Sequence, residues 1–171
     1  MKRILVGADD IVGPWVCQRG GGVWIPGGGS VAIGQVEGGD LVGGVTYDNF
    51  NGANIVMHVA GDPGKNWLSR RFIWFAFYYP FIQLGCRRVS TFTASTNTQA
   101  LKFNDDLGFV HEATLKDAHP SGDLIIRSMT KAQCRWLSLG KNYAHPSSPP
   151  RDAGSAGTGL PAVGTNSSAL G

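Results

Sequence analysis

The residues best suited to chemistry lie in one run, Met57-His-Val-Ala-Gly-Asp-Pro-Gly-Lys-Asn-Trp67, which reads as a strand, a glycine-containing loop and a helix start. Gly61 and Gly64 let the backbone turn with no Cβ in the way. A helix beginning near Lys65 would present unpaired N–H groups and a partial positive charge at that turn. With the Lys65 ammonium added, this is a place for a phosphate or pyrophosphate. A plain turn at Gly61-Asp-Pro-Gly64 accounts for the same residues, so both readings stay open. The spacing matches neither Gly-x-x-x-x-Gly-Lys-Ser/Thr nor a Gly-x-Gly-x-x-Gly between strand and helix, which argues against a nucleotide-triphosphate enzyme.

A second run, Asn97-Thr-Gln-Ala100-Leu-Lys-Phe103-Asn-Asp-Asp-Leu107-Gly108-Phe109, follows a strand. It reads as a short amphipathic helix that Gly108 stops before another strand begins.

The elements that must hold these runs are legible from turns and periodicity. Residues 30–36 and 41–48 form strands joined at Glu37-Gly-Gly-Asp40, and Asn51-Gly52 turns the chain into a third strand over 53–60. Alternation puts Ile55, Met57 and Val59 on one face of that strand and Asn54, Val56 and His58 on the other. A helix is expected over 65–84, with Pro80 kinking it or ending its regular part. Its aromatic run, Trp74-Phe-Ala-Phe-Tyr-Tyr79, reads as core rather than as a ligand box. Strands over 88–94, 109–116 and 124–130 complete a mixed α/β (α+β) sheet. The folded domain is expected over 1–140. Residues 141–171, rich in Gly, Ala, Ser and Pro, lack the apolar side chains to offset ordering entropy and are expected to be a disordered tail.

Composition narrows the partners. A net charge of +3 over 171 residues, without clustering, does not call for nucleic acid. Cys17, Cys86 and Cys134 form no C-x-x-C pair, so neither a metal site nor a disulfide framework is expected, and a reducing cytoplasm is the expected compartment. The most apolar stretch, 72–84, is shorter than the ~20 residues a bilayer-spanning helix needs, so no membrane partner is expected.

The Asn97-to-Gly108-Phe109 run, with a small residue three places after the Asn, resembles a signature of the GNAT superfamily of acyl-CoA N-acyltransferases. The preceding glycine loop stands where that family binds pyrophosphate, although Gly61-Asp-Pro-Gly64 replaces the usual Gln/Arg-x-x-Gly-x-Gly/Ala. The resemblance covers residues 30–129 and leans towards the ribosomal-protein and polyamine acetyltransferases, particularly short versions carried by phages and prophages. It implies the GNAT fold with a shortened N-terminal lobe, the family's first strand and two helices being compressed into residues 2–18. Asp9 or Asp10 would cap a helix there. It implies acetyl-CoA as cofactor and a primary amine, on a protein (a host protein included) or a small molecule, as acceptor, in a monomer or homodimer.

By the same resemblance, Met57 to Val59 would pair with the pantetheine arm, Gly61, Gly64, Lys65 and Asn66 would hold the pyrophosphate, and Asn97 would bond the arm or the thioester region. Phe103 would be a further cofactor-binding residue, and a backbone N–H near Val59 would stabilise the oxyanion. An amine with a pKa near ~10.4 must lose a proton before it attacks. His58 and Asp48 are the candidate bases, with Glu112 third, and a structural histidine is the alternative for His58. Phe103 and Ala100 stand where many members carry a Tyr or a Ser as the acid, leaving Ser95, Thr96 or water for that task. The rival reading is a GNAT-fold binding module, catalytically weak, that acts by occluding a partner protein.

Overall fold

A computed structural model describes residues 1–143, and residues 144–171 lie outside it. The order is β1 (Lys2–Val6), α1 (Asp9–Gly20), β2 (Val31–Glu37), β3 (Asp40–Asp48), β4 (Asn54–Gly61), α2 (Arg70–Tyr78), β5 (Arg88–Ala94), α3 (Thr98–Leu107), β6 (Val110–His119) and β7 (Gly122–Thr130). The seven strands form one mixed sheet in the order β1-β2-β3-β4-β5-β7-β6. Every neighbouring pair is antiparallel except β4 and β5. The two turns read from the sequence thus make the β2-β3-β4 meander. The α2 segment is the crossover that a parallel pair requires.

Helices cover both faces of the sheet. On one, α1 packs Val12 and Val16 against Ala32 and Ala60. It comes close because β3 has no side chain at Gly44, where a Cβ would press on both valines. On the other face lies the main core, Ile33, Val45, Tyr47, Ile55, Met57 and Val89 under Phe72 to Phe77 of α2. The aromatic run is core, as expected. The N-terminal lobe has one strand and one helix where two helices were expected. Asp9 does not cap α1: its Oδ1 accepts from the N–H of Ala32 at 2.7 Å, tying the helix start to β2.

Pro80 ends α2 through its missing N–H. The chain continues as a single π-helical turn, Tyr79–Gln83, closed by Leu84 N–H to Tyr79 O at 3.0 Å. In an unbroken helix the Ala76 carbonyl would accept from residue 80, and proline has nothing to donate. The buried Tyr47 hydroxyl donates to that carbonyl instead, at 2.6 Å. Burial and the neighbouring Tyr79 push the Tyr47 phenol well above its ordinary pKa, so it stays a donor. Tyr47→Phe should therefore lower stability by about 1–3 kcal/mol, the cost of an unsatisfied buried carbonyl. Urea unfolding checks this, and an unchanged midpoint would mean that the carbonyl finds another donor.

The start of α2 differs from the expectation near Lys65. Asp62 builds a local turn instead: its side chain accepts from Gly64 N–H at 3.0 Å and its carbonyl from Lys65 N–H at 3.0 Å. The chain then runs irregularly to Ser69, whose Oγ accepts from Phe72 N–H at 3.1 Å as the helix cap and also bonds the buried Gln35. Serine is a strong cap, and that local preference outweighs the glycine-loop reading.

After β7, two 3₁₀ turns, Lys131–Gln133 and Arg135–Asn142, lie against α2 and α3. Arg135 Nη2 donates to Asp106 O at 2.7 Å and Trp136 Nε1 to Leu107 O at 2.8 Å, satisfying carbonyls that the end of α3 leaves unpaired. The folded body continues through Tyr143, whose ring meets Trp74 at 5.3 Å, so residues 141–143 belong to it rather than to the tail. The rest of the expected tail, 144–171, lies outside the described residues.

Candidate functional site

The site begins where the parallel pair comes apart. β4 and β5 pair only at Asn54, Ile55 and Val56 against Arg88, Val89 and Ser90. Beyond Val56, β4 keeps its partner β3 on one side and has none on the other, so the backbone from Met57 onward offers hydrogen-bonding groups to a cleft of about 440 Å³. On the α2 and α3 face the cleft is walled by Met57, Val59, Thr91, Thr93, Phe103 and Asn104. The opposite opening is bordered by Arg19, the glycines 20–22, His58 and Phe92. Gly20 is tight against the strand edge, where a Cβ would stand 3.0 Å from Val59 O.

α3 is fixed beside this cleft by its cap and by one buried side chain. Asn97 Oδ1 accepts from Ala100 N–H at 3.0 Å, so the expected cofactor ligand also starts the helix. Gly108 ends it in the left-handed conformation at φ 101°, which glycine adopts without strain. Asn104, missed in the sequence, donates from Nδ2 to Thr93 Oγ1 at 3.1 Å and Thr91 Oγ1 at 3.3 Å. A polar residue between Phe103 and Leu107, on the stripe that should be apolar, was the available signal. Asn104→Leu should cost about 1–3 kcal/mol through the threonine hydroxyls left unpaired. Chemical denaturation measures it, and a neutral result would mean that the threonines rotate to other partners.

His58 and Asp48, expected as rival bases, are partners. His58 Nε2 and Asp48 Oδ2 lie 3.0 Å apart on the α1 face, with side chains 17% and 30% exposed. A carboxylate accepts only, so the neutral imidazole donates from Nε2 and keeps its lone pair on Nδ1. The Nδ1 edge faces Gly22, where a Cβ would lie 3.9 Å away. Cys17 flanks the same glycine, 3.8 Å from that Cβ position. Burial first and Asp48 second raise the Cys17 thiol above its ordinary pKa, which leaves it a poor nucleophile. Glu112 is elsewhere: Arg88 holds it through a bidentate pair and lowers its pKa, so it is a weak base.

The structure brings Met57, His58, Val59, Asn97 and Phe103 to the cleft, with Ala100 and Thr96. Gly61, Gly64, Lys65 and Asn66 do not line it. A Cβ at Gly61 would overlap the Trp67 indole, which also lies over Gly43 and meets Phe103 at 5.7 Å. The Asn66 carbonyl accepts from Lys2. With α2 starting at Arg70, the N–H groups unpaired at its first turn are those of Arg70 and Arg71. Among the described residues there is no cluster of three or more His, Cys, Asp or Glu able to hold a metal, and no helix long and apolar enough to cross a membrane.

No protein-family profile matches this chain, and no curated protein matches it. Solved structures do. Mutant forms of the spermidine/spermine N-acetyltransferase SpeG from Vibrio cholerae superpose with a TM-score of 0.63 at 14% identity, over 84% of this chain and 100% of that one. A probable acetyltransferase superposes with a TM-score of 0.53 at 18% identity, over 60% of this chain and 62% of its own, so the chain spans less than two thirds of that protein. The mixed sheet with its parted parallel pair is the fold of GNAT-type acetyltransferases. The chain has the GNAT fold, which it shares with these acetyltransferases.

Proposed function

We propose that this chain transfers an acetyl group from acetyl-CoA to a primary amine by direct attack. The observation that carries the reading is the His58–Asp48 pair set beside the unpaired edge of β4, at a cleft that opens on both faces of the sheet. The residues present fit the cofactor. The bare backbone of Met57 to Val59 suits an extended arm that carries amides, and Thr91, Thr93 and Asn97 supply hydroxyl and amide groups along it. Lys65, Arg70 and Arg71 are exposed cations on the segment leaving β4, suited to phosphates. Acetyl-CoA, when bound, supplies an acyl thioester whose C–S bond is exchanged for a C–N bond.

The protein's own part is proton transfer and positioning. His58 takes the amine's proton at Nδ1, and Asp48 holds the ring and favours the imidazolium that results. The raised pKa of Cys17 argues against relaying the acyl group through that thiol. Phe103 and Ala100 carry no hydroxyl, so the departing thiolate takes its proton from water, from Thr96, which lines the cleft, or from His58.

Isothermal titration with acetyl-CoA, followed by release of CoA thiol in the presence of amines, tests the reading. Binding and amine-dependent release are expected. Lys65→Ala should weaken CoA, but not a phosphate-free pantetheine fragment, by roughly 10- to 100-fold, the value of one charged hydrogen bond of ~1.5–3 kcal/mol. Equal weakening of both ligands would take Lys65 off the phosphates and leave Arg70 and Arg71. The second reading, a binding module, draws on Trp67 packing over Gly43 and Gly61 and on the missing hydroxyls. A folded protein that does not bind acetyl-CoA supports it.

A further inference from the structure

The face of the cleft that an amine must enter has a definite charge character. Among the described residues lining the cleft, Arg19 is the one permanent cation, His58 and His119 are the titratable groups, and there is no carboxylate. Asp48, on that side, is engaged by His58. At the end of α1, Cys17 O is taken by Gly21 N–H at 3.1 Å, and Arg19 Nη1 donates to Trp15 O at 3.3 Å. A polyamine such as spermidine, the acceptor named for the structural neighbour, would bring further ammonium groups into this opening, where no carboxylate lines the wall to pair them. Burying an unpaired charge is costly.

What the opening does offer is a cation beside apolar surface. Arg19 is exposed, with its guanidinium resting over the Trp15 ring at 4.1 Å. A cation–π contact at an exposed site is weak, so the guanidinium can exchange it for a carboxylate at little cost. Phe92 is 42% exposed, and Leu124 lies beside it on the cleft wall. Phe92 projects from β5 on the face that α1 leaves uncovered, since α1 packs on β2, β3 and β4.

Resting on the acetyl-transfer reading above, we propose that the acceptor is a monoamine with one carboxylate and an apolar body, as in an amino acid. Arg19 takes the carboxylate and Phe92 takes the body. Arg19 is thereby a specificity-determining residue, and its charge disfavours a polyamine acceptor.

The test measures CoA release with three amines, phenylalanine, phenylethylamine and spermidine, alongside titration of acetyl-CoA alone. Wild type should use phenylalanine with the highest kcat/KM and spermidine with the lowest. Arg19→Glu should raise KM for phenylalanine at least tenfold, leave phenylethylamine within about threefold, and leave acetyl-CoA affinity unchanged. Preference for spermidine overturns the proposal. So does an equal loss with phenylalanine and phenylethylamine, which would put Arg19 on acetyl-CoA. Acetyl-CoA binding with no acetylation of phenylalanine overturns it too, while the cofactor reading stands. Failure to bind acetyl-CoA at all removes both.

Discussion

Replacing His58 with alanine is expected to lower kcat/KM for amine acetylation by ~10²-fold or more, the usual contribution of a positioned general base. Acetyl-CoA affinity should survive, because His58 lies on the α1 face while Met57 and Val59 face the other way. Asp48→Asn makes a second test of the same unit. An amide at that position can donate to Nε2 as well as accept, so the tautomer that puts the lone pair on Nδ1 is no longer enforced. The two losses should not add: the double variant should be little slower than His58→Ala alone. Full additivity would mean that the 3.0 Å contact is not a working pair. Unchanged kcat/KM in both variants would transfer the proton to water and take His58 out of the mechanism.

That pairing shows where the sequence was legible. Periodicity and turn residues located the β2-β3-β4 meander, β5 and the Asn97-to-Gly108 helix to within a residue or two, because each depends on local chemistry: a hairpin glycine, an N-cap asparagine, a left-handed stop. His58 and Asp48 were both singled out, but as alternatives, since strand register decides whether two residues ten apart touch. Thr46 opposite His58 sets Asp48 diagonally across from the ring, on the same face. Asn104 escaped because its partners, Thr91 and Thr93, come from another element.

The helix start was misplaced for a different reason. The sequence weighed glycines against a helix pattern and passed over Ser69, a good cap whose hydroxyl reaches the Phe72 N–H. It gave no sign that Trp67 would turn back onto the sheet, because that depends on two glycines eighteen residues apart, Gly43 and Gly61, lying side by side in the register of β3 and β4. A long side chain at either position would close the slot.

Gly61→Val should consequently be among the most damaging single changes in the chain. Its side chain would overlap the Trp67 indole, and the β3–β4 pairing around it, Gly43 opposite Gly61, leaves the strand little room to move. The indole must leave, and overpacking of this kind costs about 1–3 kcal/mol or more. For a chain of this size that is several degrees of Tm, at roughly 2–4 °C per kcal/mol. Acetyl-CoA affinity should fall with it, because the expelled Trp67 no longer supports Phe103 on the cleft wall. The cause is separable by rescue. With Trp67 already replaced by alanine the slot is empty, so adding Gly61→Val should cost little more stability, and the two losses should fall well short of their sum. A simple sum would place the damage in the strand backbone and not in the slot. Gly64→Val gives the contrast, since a Cβ there meets only Asp62 Oδ1 at an ordinary 3.4 Å. Its Tm should not move, so any loss of acetyl-CoA affinity in that variant reports on phosphates approaching the loop rather than on a disturbed fold.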